Sequence, residues 1–230
     1  MISIVIPTFN SEKFILNFSK SLQYLLKKNN LKKYELIFFD DCSEDKSFDI
    51  VKRLAKKNKR IKIFKNQKNL GQLKTTFKGL RKVSGNFICI IDIDQQKNLR
   101  RMLQMLKTIR ASKNIDVISS YSEFGSLKKP YELIVKFFFK VIDSLHDFNE
   151  IKNKRVSSLR ILKKEALQKI LSVNRKNLNL TYLIHDLNLR SKYYYIKLNH
   201  FYNKTSSYSI YKRLFVAYEI LAYFISRKRK

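Results

Sequence analysis

Acidic residues are scarce: 18 Asp and Glu stand against 49 Lys and Arg, a formal charge of +31 at pH 7. That imbalance predicts attraction to polyanions, whether nucleic acid, an anionic membrane surface or a phosphorylated substrate, and by itself does not choose among them. Lys, Asn and Ile recur throughout, so part of the excess is expected on solvated faces. Cysteine is nearly absent. Cys42, beside acids, and Cys89, inside an apolar run, exclude a disulfide framework and a zinc cluster and suit a reducing cytosolic compartment. The three histidines, His146, His185 and His200, lack metal-ligand spacing. Long apolar runs are missing too. The stretches from Tyr131 to Ile142 and Leu214 to Ile225 fall short of the ~20 residues of a spanning helix and carry Glu132, Lys136, Lys140 and Glu219. The opening MISIVIPTFN has neither a basic leader nor a small-residue cleavage site and reads as a strand, so no secretion is expected. There is no internal repeat and no low-complexity linker.

What is present suits one α/β domain, alone or with a small appendage: 230 residues, 44% hydrophobic and 13% aromatic, enough for a real core. Strand-like and helix-like runs alternate. Ser3 to Ile6, Tyr34 to Phe39, Ile61 to Phe64, Phe87 to Ile91 and Asp116 to Ser119 read as strands. Glu12 to Lys28, Ser47 to Lys57, Leu73 to Val83 and Leu99 to Ser112 read as helices. This βα repetition predicts a mostly parallel sheet with helices on both faces. Residues 127–145 and 208–225 have amphipathic helical spacing, the second followed by RKRK, and suit either core packing or an anionic surface. In parallel sheets ligands bind beyond the carboxyl ends of the strands, where Thr8/Asn10/Glu12, Asp40/Asp41/Ser43/Asp45 and Asp92/Asp94/Gln96 all fall.

The stretch FICIIDIDQQ ends an apolar run in two carboxylates one residue apart. Side chains alternate along a strand, so Asp92 and Asp94 are expected to face the same side while Ile93 points into packing. Two carboxylates ~4 Å apart repel by roughly 4 kcal/mol at an effective dielectric near 20 unless one is protonated or a cation lies beside them. A divalent ion with oxygen ligands and open positions, Mg²⁺ or Mn²⁺, meets that need.

Four segments together resemble family 2 glycosyltransferases of the GT-A fold: SIVIPTFNSE, ELIFFDDCSEDKS, NLGQLKTTFKGLRKVSGN and DIDQQ. Within that family D-x-D followed by x-Gln is most similar to the branch of dolichyl-phosphate mannose synthase and bacterial polyprenyl-phosphate sugar transferases. The resemblance implies that Pro7, Thr8 and Glu12 line a nucleotide pocket, with Asp41 on the base and Asp40 beside it. It implies that Asp92, Asp94 and Gln96 surround the metal and diphosphate, Asp94 being the direct ligand. Gly71, Gly79 and Gly85 read as turn and close-packing positions.

The second half resembles the branch less closely. Arg160, in VSSLRILKKEAL, occupies the arginine of a segment in which Ser157-Ser158 replace an acid and Leu159 an aromatic. It suits either a phosphate clamp or a surface ion pair. In NHFYNKTSSYSIYKRL, Ser207 and Lys212 match a substrate-binding loop, but Phe201 and Lys204 replace an arginine and a glycine. Tyr121 and Ser122 stand where an arginine near the acceptor phosphate is expected. Asp186 is placed either as general base for a hydroxyl acceptor or as a capping or ion-paired acid.

The expectation is therefore an inverting glycosyltransferase domain over 1–205 and a basic amphipathic helix over 206–230 that associates with membranes. It would move sugar from a nucleotide-diphospho-sugar to polyprenyl phosphate, cytoplasmic and peripheral at the inner membrane face. The alternatives are transfer to a hydroxyl of a growing cell-surface glycan and, in another class, a basic nucleic-acid-binding protein, for which no signature motif is present.

Overall fold

The computed structural model describes residues 1–123, 154–174, 179–196 and 223. Seven strands form one sheet: β1 (Ile2–Thr8), β2 (Tyr34–Asp40), β3 (Ile61–Lys65), β4 (Phe87–Ile90), β5 (Val117–Glu123), β6 (Lys154–Lys163) and β7 (Ser191–Tyr195). Their order is β3-β2-β1-β4-β6-β5-β7. Only β6 runs against its neighbours β4 and β5. The helices are α1 (Glu12–Lys28), α2 (Ser47–Lys57), α3 (Gln72–Leu80), α4 (Leu99–Ala111), α5 (Lys164–Leu171) and α6 (Leu180–Asp186). A 3₁₀ turn, Ile93–Asn98, joins β4 to α4.

The central strands are apolar on both faces because helices cover both. On one side Ile2, Ile4 and Ile6 pack with Ile15, Phe18, Leu22 and Leu26 of α1, Ile50 and Val51 of α2, and Met102 and Leu106 of α4. On the other, Val5, Ile88 and Ile90 meet Phe77 and Leu80 of α3, Leu167 and Ile170 of α5, and Leu183 and Ile184 of α6. Helices α1, α3, α4 and α5 thus contribute residues three or four apart, the stripe their period predicts. Helix α1 also places Glu12 in its first turn and Lys27 and Lys28 in its last, matching the helix dipole.

Helix α3 lies tight on β1. A Cβ on Gly79 would sit 2.6 Å from Val5 Cγ1, so only glycine permits this approach. Gly71 precedes α3 at φ +86°, a left-handed conformation that glycine adopts without strain.

The first five strands and four helices follow the periodicity of the sequence, with β5 running on to Glu123. Strands β6 and β7 carry too many polar residues to read as apolar runs and emerge only from their pairing. The segments 127–145 and 208–225 lie outside the described residues, except Tyr223. Tyr223 is helical and fully buried, its ring 5.9 Å from that of Tyr182.

Candidate active site

Strand β1 pairs in parallel with β2 on one side and β4 on the other, so the chain order reverses there. The three strands end on one rim, a topological switch point of the kind at which open α/β sheets bind ligands. Thr8 at the end of β1 is buried, its hydroxyl donating to the Ile6 carbonyl, and is in register with Asp40. Pro7, one residue earlier, is half-buried.

Two rim loops are laced together. The Asn10 N–H donates to Ser43 Oγ at 3.0 Å and the Ser11 N–H to Ser47 Oγ at 2.7 Å. The Glu12 N–H donates to Asp45 Oδ2 at 3.0 Å, and Glu12 Oε2 accepts the Lys46 N–H. Burial raises the Asp45 carboxyl, but the Ser47 and Glu12 donors outweigh it and hold the group below its ordinary value. Asn10 and Cys42 take positive φ, 44° and 64°, which tightens both loops.

Asp40 and Asp41 are buried and do different work. Asp40 accepts the backbone N–H and the hydroxyl of Ser43, closing its own turn. Asp41 accepts four bonds from the start of α3 and the segment before it: from Asn66 Nδ2, the Leu70 N–H, the Gly71 N–H and Thr75 Oγ1, all at 2.8 to 2.9 Å. The adjacent acids thus frame the site. One shapes the β2 loop and the other anchors the turn that launches α3.

Strand β4 ends at Ile90, before the carboxylates. Asp92 is the N-cap of the 3₁₀ turn, so strand alternation does not relate it to Asp94. A 3₁₀ turn repeats every three residues, which sets Gln95 over Asp92 and Gln96 over Ile93. The Gln95 N–H accordingly donates to the Asp92 carbonyl at 3.0 Å. Gln96, expected around the metal and diphosphate, donates from its side chain to Ser21 on α1 at 2.8 Å. Gln95 is buried and donates from Nε2 to Ser157 Oγ at 2.6 Å and Ser158 Oγ at 2.9 Å.

Asp92 is held from α3. Gln72, its first residue, donates to Oδ2 at 2.7 Å, and the nearby Ser158 hydroxyl of β6 favours the charged carboxylate. Oδ1 is buried and has no partner. Burial, with a smaller push from the charge of Asp94, raises the Asp92 carboxyl to about 6 despite these donors. Asp94 faces the open side, and desolvation by its surroundings raises its carboxyl as well. The pair is therefore electrostatically coupled, with one oxygen lacking a donor. These features fit a divalent cation: Asp92 Oδ1 and Asp94 would hold it, and open positions would remain for substrate oxygens. Among the described residues no group of three or more His, Cys, Asp or Glu offers a closed protein cage.

Arg160 lies inside, not on the surface as an ion pair would require. It is 5% exposed and in register with Ile90 on β4 and Ser119 on β5. One terminal nitrogen donates to Thr181 Oγ1 at the start of α6, and Nε has no partner. Burial lowers its pKa to about 10, the nearby Tyr193 acting in the opposite sense, so it stays charged at neutral pH.

Asp186 closes α6 at its C-terminal end, where a helix dipole disfavours an acid, and accepts the Tyr223 hydroxyl. Ser207 and Lys212 lie outside the described residues. Three functional contacts escaped the sequence pattern, those of Gln72, Gln95 and Thr181. For Gln95, the three-residue period of a 3₁₀ turn was the available signal.

The family model for glycosyl transferase family 2 matches residues 3–198. An uncharacterized glycosyltransferase of Methanocaldococcus jannaschii is 26% identical over 172 residues, covering 70% of this chain and 58% of the relative. The bactoprenol glucosyl transferase of Shigella phage SfV is 26% identical over 181 residues, covering 77% and 56%. The chain thus spans somewhat over half the length of these relatives. Glucosyl-3-phosphoglycerate synthase of Mycobacterium tuberculosis, solved with Mn²⁺, UDP and glucosyl-3-phosphoglycerate, superposes with a TM-score of 0.69 at 16% identity over 99% of this chain and 79% of its own. Mannosyl-3-phosphoglycerate synthase of Rubrobacter xylanophilus gives 0.72 at 11% identity over 100% and 74%. The fold is GT-A, and with a family model spanning nearly the whole sheet, from β1 past β7, the chain belongs to glycosyl transferase family 2.

Proposed function

We propose that this chain is a metal-dependent, inverting glycosyltransferase that moves a sugar from a nucleotide-diphospho-sugar to polyprenyl phosphate. The observation that carries the reading is the partnerless, buried Oδ1 of Asp92 beside Asp94 at the switch point of the sheet. The donor class is supported by the structural neighbour solved with Mn²⁺ and UDP-glucose. The acceptor class is supported by the bactoprenol glucosyl transferase relatives.

In this reading the acceptor oxygen attacks the anomeric carbon from the face opposite the leaving group. The bond from that carbon to the diphosphate oxygen breaks with its electron pair, and configuration inverts. A bound Mg²⁺ or Mn²⁺ supplies charge neutralisation at the leaving diphosphate. Gln72 fixes the orientation of Asp92, and Arg160 offers its unpartnered Nε to a phosphate oxygen. Pro7, Thr8 and Glu12 wall the nucleotide side, with Asp40 and Asp41 holding its loops. A phosphate acceptor is already anionic and needs no general base, so Asp186 takes no part. No helix of the described residues is long and apolar enough to cross a membrane. Attachment to an anionic bilayer at the cytoplasmic face, drawn by the +31 charge, is how such an acceptor would be reached.

The test is a thermal-shift panel of UDP, GDP and dTDP sugars with and without Mn²⁺, followed by transfer assays on polyprenyl phosphate and on a glycan hydroxyl. One sugar nucleotide should stabilise the protein only with metal, transfer should favour the lipid phosphate, and Asp94→Asn should abolish turnover with the fold intact. Turnover retained by metal-stripped Asp94→Asn protein would overturn the mechanism. Exclusive transfer to the hydroxyl would overturn the acceptor.

A further inference from the structure

We propose that the groove between α1 and α4 is the surface by which this chain docks on an anionic phospholipid bilayer, seating headgroup phosphates between its cations; the inference rests on the membrane-facing reading above and names the surface that serves it. The groove has a volume of about 280 Å³ and is lined by Tyr24, Leu25 and Lys28 of α1 and by Arg100, Leu103 and Lys107 of α4. Leu103 is buried and Leu25 half-buried, so an apolar floor lies under a cationic rim. No acidic side chain lines it. Lys28, Arg100 and Lys107 are exposed, and among the described residues none of the three is ion-paired. Helix α4 contains no acid at all, and α1 has only Glu12, at its far end. Three cations without a counter-charge therefore converge on one groove, which is the complement of a phosphate-bearing surface.

The apolar side chains around the groove favour a bilayer over a nucleic-acid backbone. Tyr24 is 65% exposed and Leu16 45%, and with the exposed Lys20 and Lys28 they recur every four residues along one stripe of α1. An exposed leucine gains nothing from a hydrated phosphodiester. At a bilayer it enters the acyl boundary, tyrosine sits at headgroup level, and lysine reaches the phosphates with its stem on apolar surface. The stripe leads from the groove back to Glu12 beside the nucleotide wall, and α4 follows directly on the 3₁₀ turn that carries Asp94. Docking along this flank holds the rim of the sheet at the level of the headgroups, where a polyprenyl phosphate presents its phosphate.

The experiment sediments the whole chain with vesicles of phosphatidylcholine, alone or mixed with phosphatidylglycerol, at fixed ionic strength. Wild type is compared with the groove triple Lys28→Glu/Arg100→Glu/Lys107→Glu and with Arg81→Glu/Lys164→Glu/Lys169→Glu, which makes the same charge change on exposed residues across the sheet. Wild type should bind only the anionic vesicles. The groove triple should bind them about 100-fold more weakly or worse, since each basic residue at an anionic surface contributes about fivefold. The control triple should stay within about tenfold of wild type, because charges beyond a Debye length from the surface are screened. The chain has no tryptophan, so Tyr24→Trp supplies a single reporter that leaves the charges intact. Its emission should shift to the blue on anionic vesicles and be quenched by brominated lipid, while Gln168→Trp on α5 should show neither. In turnover, the groove triple should lose transfer to polyprenyl phosphate in vesicles and keep transfer to a short-chain prenyl phosphate in solution. Vesicle binding unchanged in the groove triple, equal losses in both triples, or Tyr24→Trp emission that ignores the vesicles would overturn the proposal; should the groove triple fail to fold, the emission decides alone. Binding of an oligonucleotide through the groove in place of vesicles would overturn it as well. If wild type binds no anionic vesicle, the membrane-facing reading itself fails and this inference falls with it; vesicle binding by wild type isolates the role of the groove.

Discussion

The side-chain amide of Gln72, at the start of α3, holds Oδ2 of Asp92 at 2.7 Å across the rim of the sheet. That bond couples the acid at the end of β4 to a helix whose own start is anchored by Asp41 through Gly71. The carboxylates and the loops that frame them therefore form one connected hydrogen-bonded assembly.

Asp92 should weaken the apo protein at neutral pH. Its folded pKa, about 6, lies above the ordinary 3.8, so the folded state binds the proton more tightly than the unfolded state. The resulting penalty is fully present above about pH 6 and disappears as pH falls toward 4. Asp92→Asn is expected to raise apo stability at pH 7 by on the order of 2 kcal/mol and to show no gain below pH 4. Thermal unfolding across that range checks it, and the wild type alone should gain stability from Mn²⁺ with nucleotide.

Arg160 is a buried cation that no carboxylate of the described residues pairs with. Such a charge is retained at a thermodynamic penalty. Arg160→Met is expected to leave the apo melting temperature equal or higher and to weaken nucleotide-sugar binding at least tenfold, since charge-assisted phosphate bonds contribute about 1.5–3 kcal/mol. Arg160→Lys should not restore binding, because the ammonium lacks the planar fork. Calorimetric titration with the selected sugar nucleotide decides the outcome.

Asp41 accepts four bonds from residues 66–75, and its loss leaves those donors unsatisfied. Asp41→Ala is expected to destabilise the fold by about 3 kcal/mol, with Asp41→Asn milder because one acceptor oxygen remains. A residue devoted only to the nucleotide base would instead lose binding at an unchanged melting temperature. Denaturant unfolding of both variants separates the two.

Gly79→Ala places a methyl 2.6 Å from Val5 Cγ1. Overpacking of this kind destabilises by about 1–3 kcal/mol. Val5→Ala in the same chain should recover part of the loss, a coupling readable from chemical denaturation.

The sequence by itself determined the βα alternation, the placement of Thr8, Asp40 and Asp92 at strand ends, and the glycines at positions 71 and 79. Each of these follows from a local rule: hydrophobic period, backbone strain or the reach of one turn. It did not determine which way the polar side chains after β4 would face. The backbone leaves the strand at Ile90 and winds three residues to a turn, so the Gln95 side chain meets Ser157 and Ser158 while that of Gln96 meets Ser21. Nor could periodicity reveal β6, whose serines meet the Gln95 side chain only because that strand runs antiparallel past the end of β4. The burial of Arg160 and the bond from Tyr223 to Asp186 likewise join residues 21 and 37 positions apart. Contacts of that span depend on how helices and strands close over the sheet, which only the tertiary structure decides.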